Sequence, residues 1–387
     1  MRKLSLLILL PFIAFANENK SENDKQVLSD TKQEIIKLKQ KQIKEKEQSN
    51  KYDWVSDIDL NASITKDQDD RINDYNLSIS QEIFNFGGIS SQMDYALQLK
   101  KMENLDLDIS TKEDLNTLFA FILDSKINDI NLQQNILNLK NSEIDIRSKK
   151  SEYKAGELGI SDLNDAIMTK NELSDAQKEL KLSKLVNINN IKKYTNINYE
   201  EIKIPNVKLM TKDVYLENAN SLNYAELDIQ TNNSLYKIKK SDYLPSLSLT
   251  GKYGYQDSND IQGDDYYNYG IQISMPLSYT VSNDIEQTKL DYLISKKEKD
   301  DELVNSQATY DEAVLTIENY NDRIRLARQD IKLYDELLEV NQEEYKAGYK
   351  TMDDVQTLEN SKTIRSLDIK QYELNIQKEI LALYFNI

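Results

Sequence analysis

Two stretches of about seventy residues, one from Gly88 to Gly156 and one from Pro276 to Gly348, contain no internal glycine or proline. Those two residues most disfavour helix interiors, and the stretches are filled mainly with Leu, Ile, Lys, Glu, Asp and Asn. A helix of that length rises roughly 100 Å. Helices of globular proteins usually run about 8 to 20 residues, so each stretch points to a coiled-coil architecture.

The apolar spacing says more. In the first stretch Leu118, Ser125, Leu132, Leu139, Ile146 and Tyr153 recur every seven residues. A second series, Met102, Ile109, Asn116, Leu123, Ile130, Leu137 and Ile144, runs two positions out of step. Two positions on a helix are about 200° apart, so the two seams lie on nearly opposite faces. A two-stranded coil needs one seam, whereas a helix with two has a neighbour on each side, as in a closed ring. The second stretch repeats the arrangement, with Tyr310, Ile317, Ile324, Ile331, Leu338 and Tyr345 on one face and Leu326, Leu333 and Val340 opposed. Periodicity alone also accommodates one wide buried face in an ordinary bundle.

The chain is internally duplicated. Tyr153-Lys154-Ala155-Gly156 recurs 192 residues later as Tyr345-Lys346-Ala347-Gly348, and Asp162-Leu163 matches Asp354-Val355 at the same shift. The seam from Leu118 to Tyr153 maps onto Tyr310 to Tyr345 without a gap. Each half therefore reads as strand, strand, long helix, turn, returning helix. Gly156 and Gly348 follow a helical run, where a left-handed residue ends a helix at little steric cost. Ser161 or Asp162, and Asp353 or Asp354, are the expected caps of the returning helices.

Upstream of each long helix lie two segments of alternating polarity. Ile58, Leu60, Ala62 and Ile64 alternate with polar residues, as do Leu77, Ile79 and Ile83. The second half has Leu247, Leu249, Gly251, Tyr253 and Tyr255, then Tyr267, Tyr269, Ile271, Ile273, Met275 and Leu277. Segments of about ten residues match a tilted strand crossing an outer membrane. Trp54, Tyr253, Tyr255, Tyr267 and Tyr269 lie toward the strand ends, where an aromatic girdle is expected. Four strands cannot close a barrel alone, and three chains would supply twelve. A soluble β-layer packed on the helices is the other arrangement these segments allow. The loops 66–73 and 256–265 are polar and acidic, as surface loops should be.

Composition narrows the functional classes. Arg2 and Lys3, the apolar run from Leu4 to Phe15, and Ala14-Phe15-Ala16 form the pattern of a secretory signal peptide, with an uncleaved anchor as the alternative. The chain has no cysteine, hence neither disulfides nor a thiol to carry a lipid. Beyond the leader no apolar run is long enough for a transmembrane helix. A formal charge of −17 argues against nucleic acid as a partner. The absence of histidine as well as cysteine removes the usual nucleophile–base pairs and zinc sites, so no enzymatic activity, cofactor or metal site is expected. Gly87-Gly88 is an isolated pair, and Asp257-Ser258-Asn259-Asp260 lacks the glycine and distal glutamate of a calcium loop.

The two turn segments, YKAGELGISDLNDA and YKAGYKTMDDVQTL, resemble the paired Tyr-x-x-Gly…Asp-Val signatures of TolC-like outer-membrane efflux proteins. The run from Tyr224 to Tyr243-Leu244-Pro245-Ser246-Leu247 resembles that family's helix entering a strand. Gln272-Ile273-Ser274-Met275-Pro276-Leu277 and the segment 80–88 resemble its strand-to-helix junctions. The resemblance implies an α+β, mainly helical fold: a homotrimer in which a twelve-stranded outer-membrane β-barrel continues into a twelve-helix periplasmic coiled-coil barrel. It implies a passive exit duct whose tips meet a periplasmic adaptor and, through it, an inner-membrane transporter. The family closes its periplasmic entrance near the second tip, and the matching positions here are Tyr345, Lys350 and Asp354, with Asp353 as a further candidate. A second aspartate expected three residues after Asp354 is Thr357 in this chain. Adaptor contacts would fall on Ala155, Gly156, Glu157, Ala347, Gly348 and Tyr349.

The expected organisation is a signal peptide over 1–16 and an N-terminal periplasmic segment over 17–50, either a short helix or a mobile arm. A first repeat over 51–200 has strands 55–65 and 74–85, a helix 89–153, a turn 154–160 and a returning helix 161–195. A second over 201–387 has a helix 211–241, strands 246–256 and 266–277, a helix 283–346, a turn 347–352 and a returning helix 353–385. The competing functional reading is a soluble periplasmic coiled-coil adaptor.

Overall fold

The computed structural model describes residues 26–66, 71–258 and 263–387. The expected leader over 1–16 lies outside the described residues, as do 67–70 and 259–262 of the two strand–strand loops. Along the chain come α1 (Asp30–Tyr52), β1 (Asp59–Lys66), β2 (Arg71–Phe84), α2 (Gly88–Ala155) and α3 (Ile160–Ile191). They are followed by α4 (Lys212–Asn218), α5 (Asn220–Ser241), β3 (Ser246–Ser258), β4 (Asp264–Ser274), α6 (Val281–Lys346) and α7 (Met352–Phe385). The fold is mainly helical with one four-stranded sheet. Two compact units divide it, one formed by residues up to 36 with 109–215 and 307–387, the other by 37–108 with 216–306.

The second unit carries the sheet, antiparallel throughout in the order β1-β2-β3-β4. Its register puts Leu60, Leu77, Tyr253 and Tyr267 in one cross-strand row, with Ile79, Gly251 and Tyr269 in the next but one. Tyr267, Tyr269, Ile271 and Ile273 on β4 are between 70% and 81% exposed, so this apolar face has no cover among the described residues. The opposite face is polar. There the Tyr266 hydroxyl and the Asn76 amide both donate to Asp74, each at 2.7 Å. The Tyr266 ring lies over Gly254, where a Cβ would come within 2.7 Å of it. Only glycine admits the ring at that position.

Strand limits differ from the expected ones for local reasons. β1 begins at Asp59, because the Ser56 amide donates to the Gln81 side chain at 2.9 Å instead of entering the ladder. β4 stops at Ser274, since Pro276 has no N–H to offer a strand. The segment expected as one helix over 211–241 is broken at Ala219, whose ψ of 122° leaves the helical region. Asparagines 218 and 220 flank the break, and such side chains compete with helical bonding; the Asn223 amide donates to the freed Asn218 carbonyl at 3.3 Å. In the same unit α5 and α6 are joined by Lys299–Glu226 at 2.6 Å.

The first unit holds a buried apolar core. Leu28, Leu115, Leu118, Phe119, Ile122, Leu123, Ile191, Ile202, Leu381 and Phe385 form one buried cluster, with Phe119 stacked on Phe385 at 5.8 Å. Leu118 and Leu123 belong to the two opposed seams of α2, and both are fully buried, so α2 has a neighbour on each side. On one side α3 is tied to it by Lys184–Asp129 at 2.5 Å and Asn128–Ser183 at 3.1 Å. On the other α7 is tied to it by Lys378–Asp124 at 2.8 Å and Gln134–Asp368 at 2.7 Å. α6 joins α7 through Lys362–Asp335 at 2.5 Å and Arg365–Asp330 at 3.2 Å. The lateral order is therefore α3-α2-α7-α6. The N-terminal segment, for which the sequence allows a helix or an arm, forms the helix α1, whose first turn lies in this unit with Lys32 reaching Asp114 at 2.6 Å.

Candidate functional site

The two helix–helix turns fold identically at their first half. Gly156 sits at φ +76° and its N–H donates to the Tyr153 carbonyl at 3.1 Å, while the Glu157 N–H reaches Glu152 at 3.0 Å. Gly348 sits at φ +84° and donates to Tyr345 at 3.0 Å, with Tyr349 reaching Glu344 at 2.9 Å. Each pair of bonds is the Schellman arrangement that satisfies the last helical carbonyls. A Cβ at either glycine would meet nothing within 4 Å, so it is the backbone conformation alone that demands glycine.

The turns part company where the next helix starts. α7 is capped by Thr351, not by Asp353 or Asp354 as expected. The Asp354 N–H donates to the Thr351 hydroxyl at 3.3 Å, and Asp354 Oδ2 accepts the Thr351 N–H at 2.9 Å in return. This reciprocal pair is a capping box, in which the carboxylate sits three residues inside the helix. The Thr351 backbone N–H and then its hydroxyl hold the Asp354 carboxyl below its ordinary value, with Lys350 adding a favourable charge. α3 instead starts from Gly159, with no side-chain cap; neither Ser161 nor Asp162 fills that place.

Asp353 is engaged laterally. Arg147 on α2 reaches its carboxylate at 2.9 Å through Nη2 and 3.4 Å through Nε. Two turns deeper Asn360 is buried and donates to Asn141 at 2.7 Å. Thr357, at the position where a second aspartate was expected, donates back to the Asp353 carbonyl at 2.8 Å. Tyr345, Lys350 and Tyr349 are exposed, as are Ala155, Gly156, Glu157, Ala347 and Gly348. The structure thus brings Asp353 and Asp354 to one helix start but gives them different partners. Sequence reasoning missed Thr351 and Arg147. The Thr-x-x-Asp spacing was the signal for the first; for the second, Arg147 is the single arginine between Arg71 and Arg323.

The four tyrosines at positions 253, 255, 267 and 269 share one face of the sheet, with Tyr267 and Tyr269 stacked at 6.4 Å. Trp54 lies in the turn before β1, and its carbonyl accepts from Gln81 at 3.0 Å. Among the described residues no acidic cluster is arranged to hold a metal ion, and no helix is long and apolar enough to cross a membrane.

A two-faced antiparallel sheet, two very long helices and two helix-turn tips define the class of TolC-like outer-membrane channels by fold. Residues 213–385, within the second repeat, match the sequence model of the outer membrane efflux protein family. The fold extends the likeness to nearly the whole chain. The outer membrane protein VceC from Vibrio cholerae is 15% identical over 95% of this chain and 96% of its own, with a TM-score of 0.72. The Campylobacter jejuni CmeC outer membrane channel is 15% identical over 96% and 85%, with a TM-score of 0.73. CusC, described as forming a transmembrane channel, is 13% identical over 98% and 95%, with a TM-score of 0.71. No curated protein matches the sequence.

Proposed function

We propose that the chain is the outer-membrane exit duct of a tripartite efflux pump or a type I secretion system. It conducts cargo passively from an adaptor and inner-membrane transporter across the periplasm and outer membrane, without chemistry or cofactor. The sheet carries this reading. One exposed apolar face and two unpaired edge strands are unsatisfactory in isolation, and both are resolved if three copies close a twelve-stranded barrel in lipid. Trp54, Tyr253, Tyr255, Tyr267 and Tyr269 then form the aromatic girdle. Ala155, Gly156, Glu157, Ala347, Gly348 and Tyr349 are the tip surface offered to the adaptor.

Tyr345, Lys350, Asp353 and Asp354 are the entrance constriction in this scheme. Their geometry suggests how it closes: the Arg147–Asp353 pair ties the start of α7 to α2, and releasing it lets the second tip move outward. Exposed pairs contribute little to stability, about 0–1 kcal/mol, which suits a latch that must open. The decisive experiment is membrane fractionation followed by planar-bilayer recording of the detergent-extracted protein. A trimer from the outer membrane that conducts, with Arg147→Ala raising its conductance, is expected. A monomer released with the soluble periplasmic fraction would replace the duct by the adaptor reading.

A further inference from the structure

The polar face of the sheet carries one feature that a water-facing wall does not need. Among the residues of β3 and β4 on that face, Tyr266 is the single aromatic one, and its ring lies along the sheet instead of standing out from it. The ring crosses β3 at Gly254, where an added Cβ would come within 2.7 Å of the ring and 2.8 Å of its hydroxyl. Beyond the glycine the hydroxyl donates to Asp74 on β2 at 2.7 Å.

Several neighbours hold the ring down. The Lys252 ammonium stands 5.4 Å from the ring centroid, within cation–π reach, and 3.7 Å from the Asp74 carboxylate. The Asn76 amide donates to Asp74 at 2.7 Å, and the Asn61 amide on β1 donates to Asn76 at 3.3 Å. One side-chain network thereby ties together all four strands. The cover it makes is visible in exposure. Asn76 is 7% exposed, whereas Asn268, on the same face of β4, is open.

Place in the sheet gives the network a role. The strand–strand connections leave the sheet at the Tyr266 end, and the long helices leave it at the other. If three copies close a barrel, the apolar face meets lipid, the polar face lines the bore, and Tyr266 sits near the extracellular mouth. Lying flat, a ring takes its thickness from the bore; standing, it takes its length.

We infer that Tyr266 sets the size limit of the extracellular mouth: held over Gly254 by Asp74 and Lys252 it leaves the mouth wide, and released it stands into the lumen. The inference rests on the exit-duct reading for its closed barrel, in which three such rings share one height. Asp74, Lys252 and Gly254 are positioning residues that act through the ring. This limit lies at the opposite end of the chain's long helices from Tyr345, Lys350, Asp353 and Asp354, and works independently of them.

The chain has no cysteine, so a single introduced thiol reports alone. Thr250→Cys places one on the polar face four residues closer to the helices than Gly254, roughly 13 Å deeper. Intact cells carrying the full chain are treated from outside with maleimides on polymers of graded length. Gly254→Ala, which lifts the ring, should shift the labelling limit to shorter polymers while a small maleimide still labels fully. Tyr266→Phe, which loses the bond to Asp74 and keeps the Lys252 contact, should shift it less. Adding Tyr266→Ser to Gly254→Ala should restore the parent's limit, which a strand merely damaged by Gly254→Ala would not do. An unchanged limit in Gly254→Ala, or one that Tyr266→Ser fails to restore, overturns the inference and leaves the duct standing. A parent thiol that even the small maleimide misses would mean that the polar face lines no open bore, and the duct reading falls with the inference.

Discussion

The two tips begin with the same four residues and the same backbone turn, yet among the described residues only the second opens its returning helix with a side-chain cap and an ion pair to α2. After Gly156 the chain enters α3 from an uncapped Gly159, and the repeat's counterpart of the Arg147–Asp353 pair would be Glu339 with Ser161, which cannot bond as ions. After Gly348 the chain enters α7 through a capping box and an ion pair to α2. Duplication thus preserved the element that fixes chain direction and diversified the elements that fix how firmly each returning helix is held. A difference of that kind is what a duct needs if one tip gates and the other serves as a frame.

The largest effect should be the one common to both tips. Gly156→Ala and Gly348→Ala each force an L-residue into the left-handed region, at about 1–2 kcal/mol. Because neither site has a neighbour within 4 Å, the losses should be equal. Hydrogen exchange at the Glu157 and Tyr349 amides measures them, and a clear inequality would mean the turns are not equivalent. Next comes the cap. Thr351→Ala should loosen the first turn of α7 by about 1 kcal/mol. Gly159→Ser should stabilise α3 by less, about 0.3 kcal/mol, by placing a hydroxyl opposite Asp162. Gly159 already has the extended backbone an N-cap requires, with φ −76° and ψ 156°, and a Cβ there meets only ordinary contacts at 3.5 Å. If exchange in α3 fails to slow, the asymmetry between the tips lies elsewhere than in capping.

Much of this was legible in the sequence, and what was hidden has a common cause. The long helices, their opposed seams, the four strands and the two glycine turns are all periodic or local signals, and periodicity needs no knowledge of neighbours. The helix over Asp30–Tyr52 has little apolar pattern in its Lys- and Glu-rich sequence; its order comes from partners on α2 such as Glu103 and Asp114. Residue type points to Asp353 or Asp354 as the cap, whereas Thr351 takes that place because spacing, not acidity, decides a capping box. The Arg147–Asp353 pair spans 206 residues of chain, and no local rule says that α2 lies beside α7.

The smallest and most specific difference is in acid. Asp354 is held below its ordinary value of 3.8 by its bonds to Thr351, so its capping contribution is present above that value. It is lost as pH falls through the lower value of the folded protein. Exchange at the first-turn amides of α7 should therefore quicken below about pH 4. The α3 start, which has no side-chain cap, offers the internal control within the same molecule. The comparison is best made in an Arg147→Ala background, where the ion pair to Asp353 is absent and the cap remains. Asp354→Asn keeps an acceptor for the Thr351 amide but removes the carboxyl, and the acid step at α7 should vanish while the cap persists. An acid step that survives Asp354→Asn would assign it to another carboxylate and remove the capping box from the account of why the second tip is the fastened one.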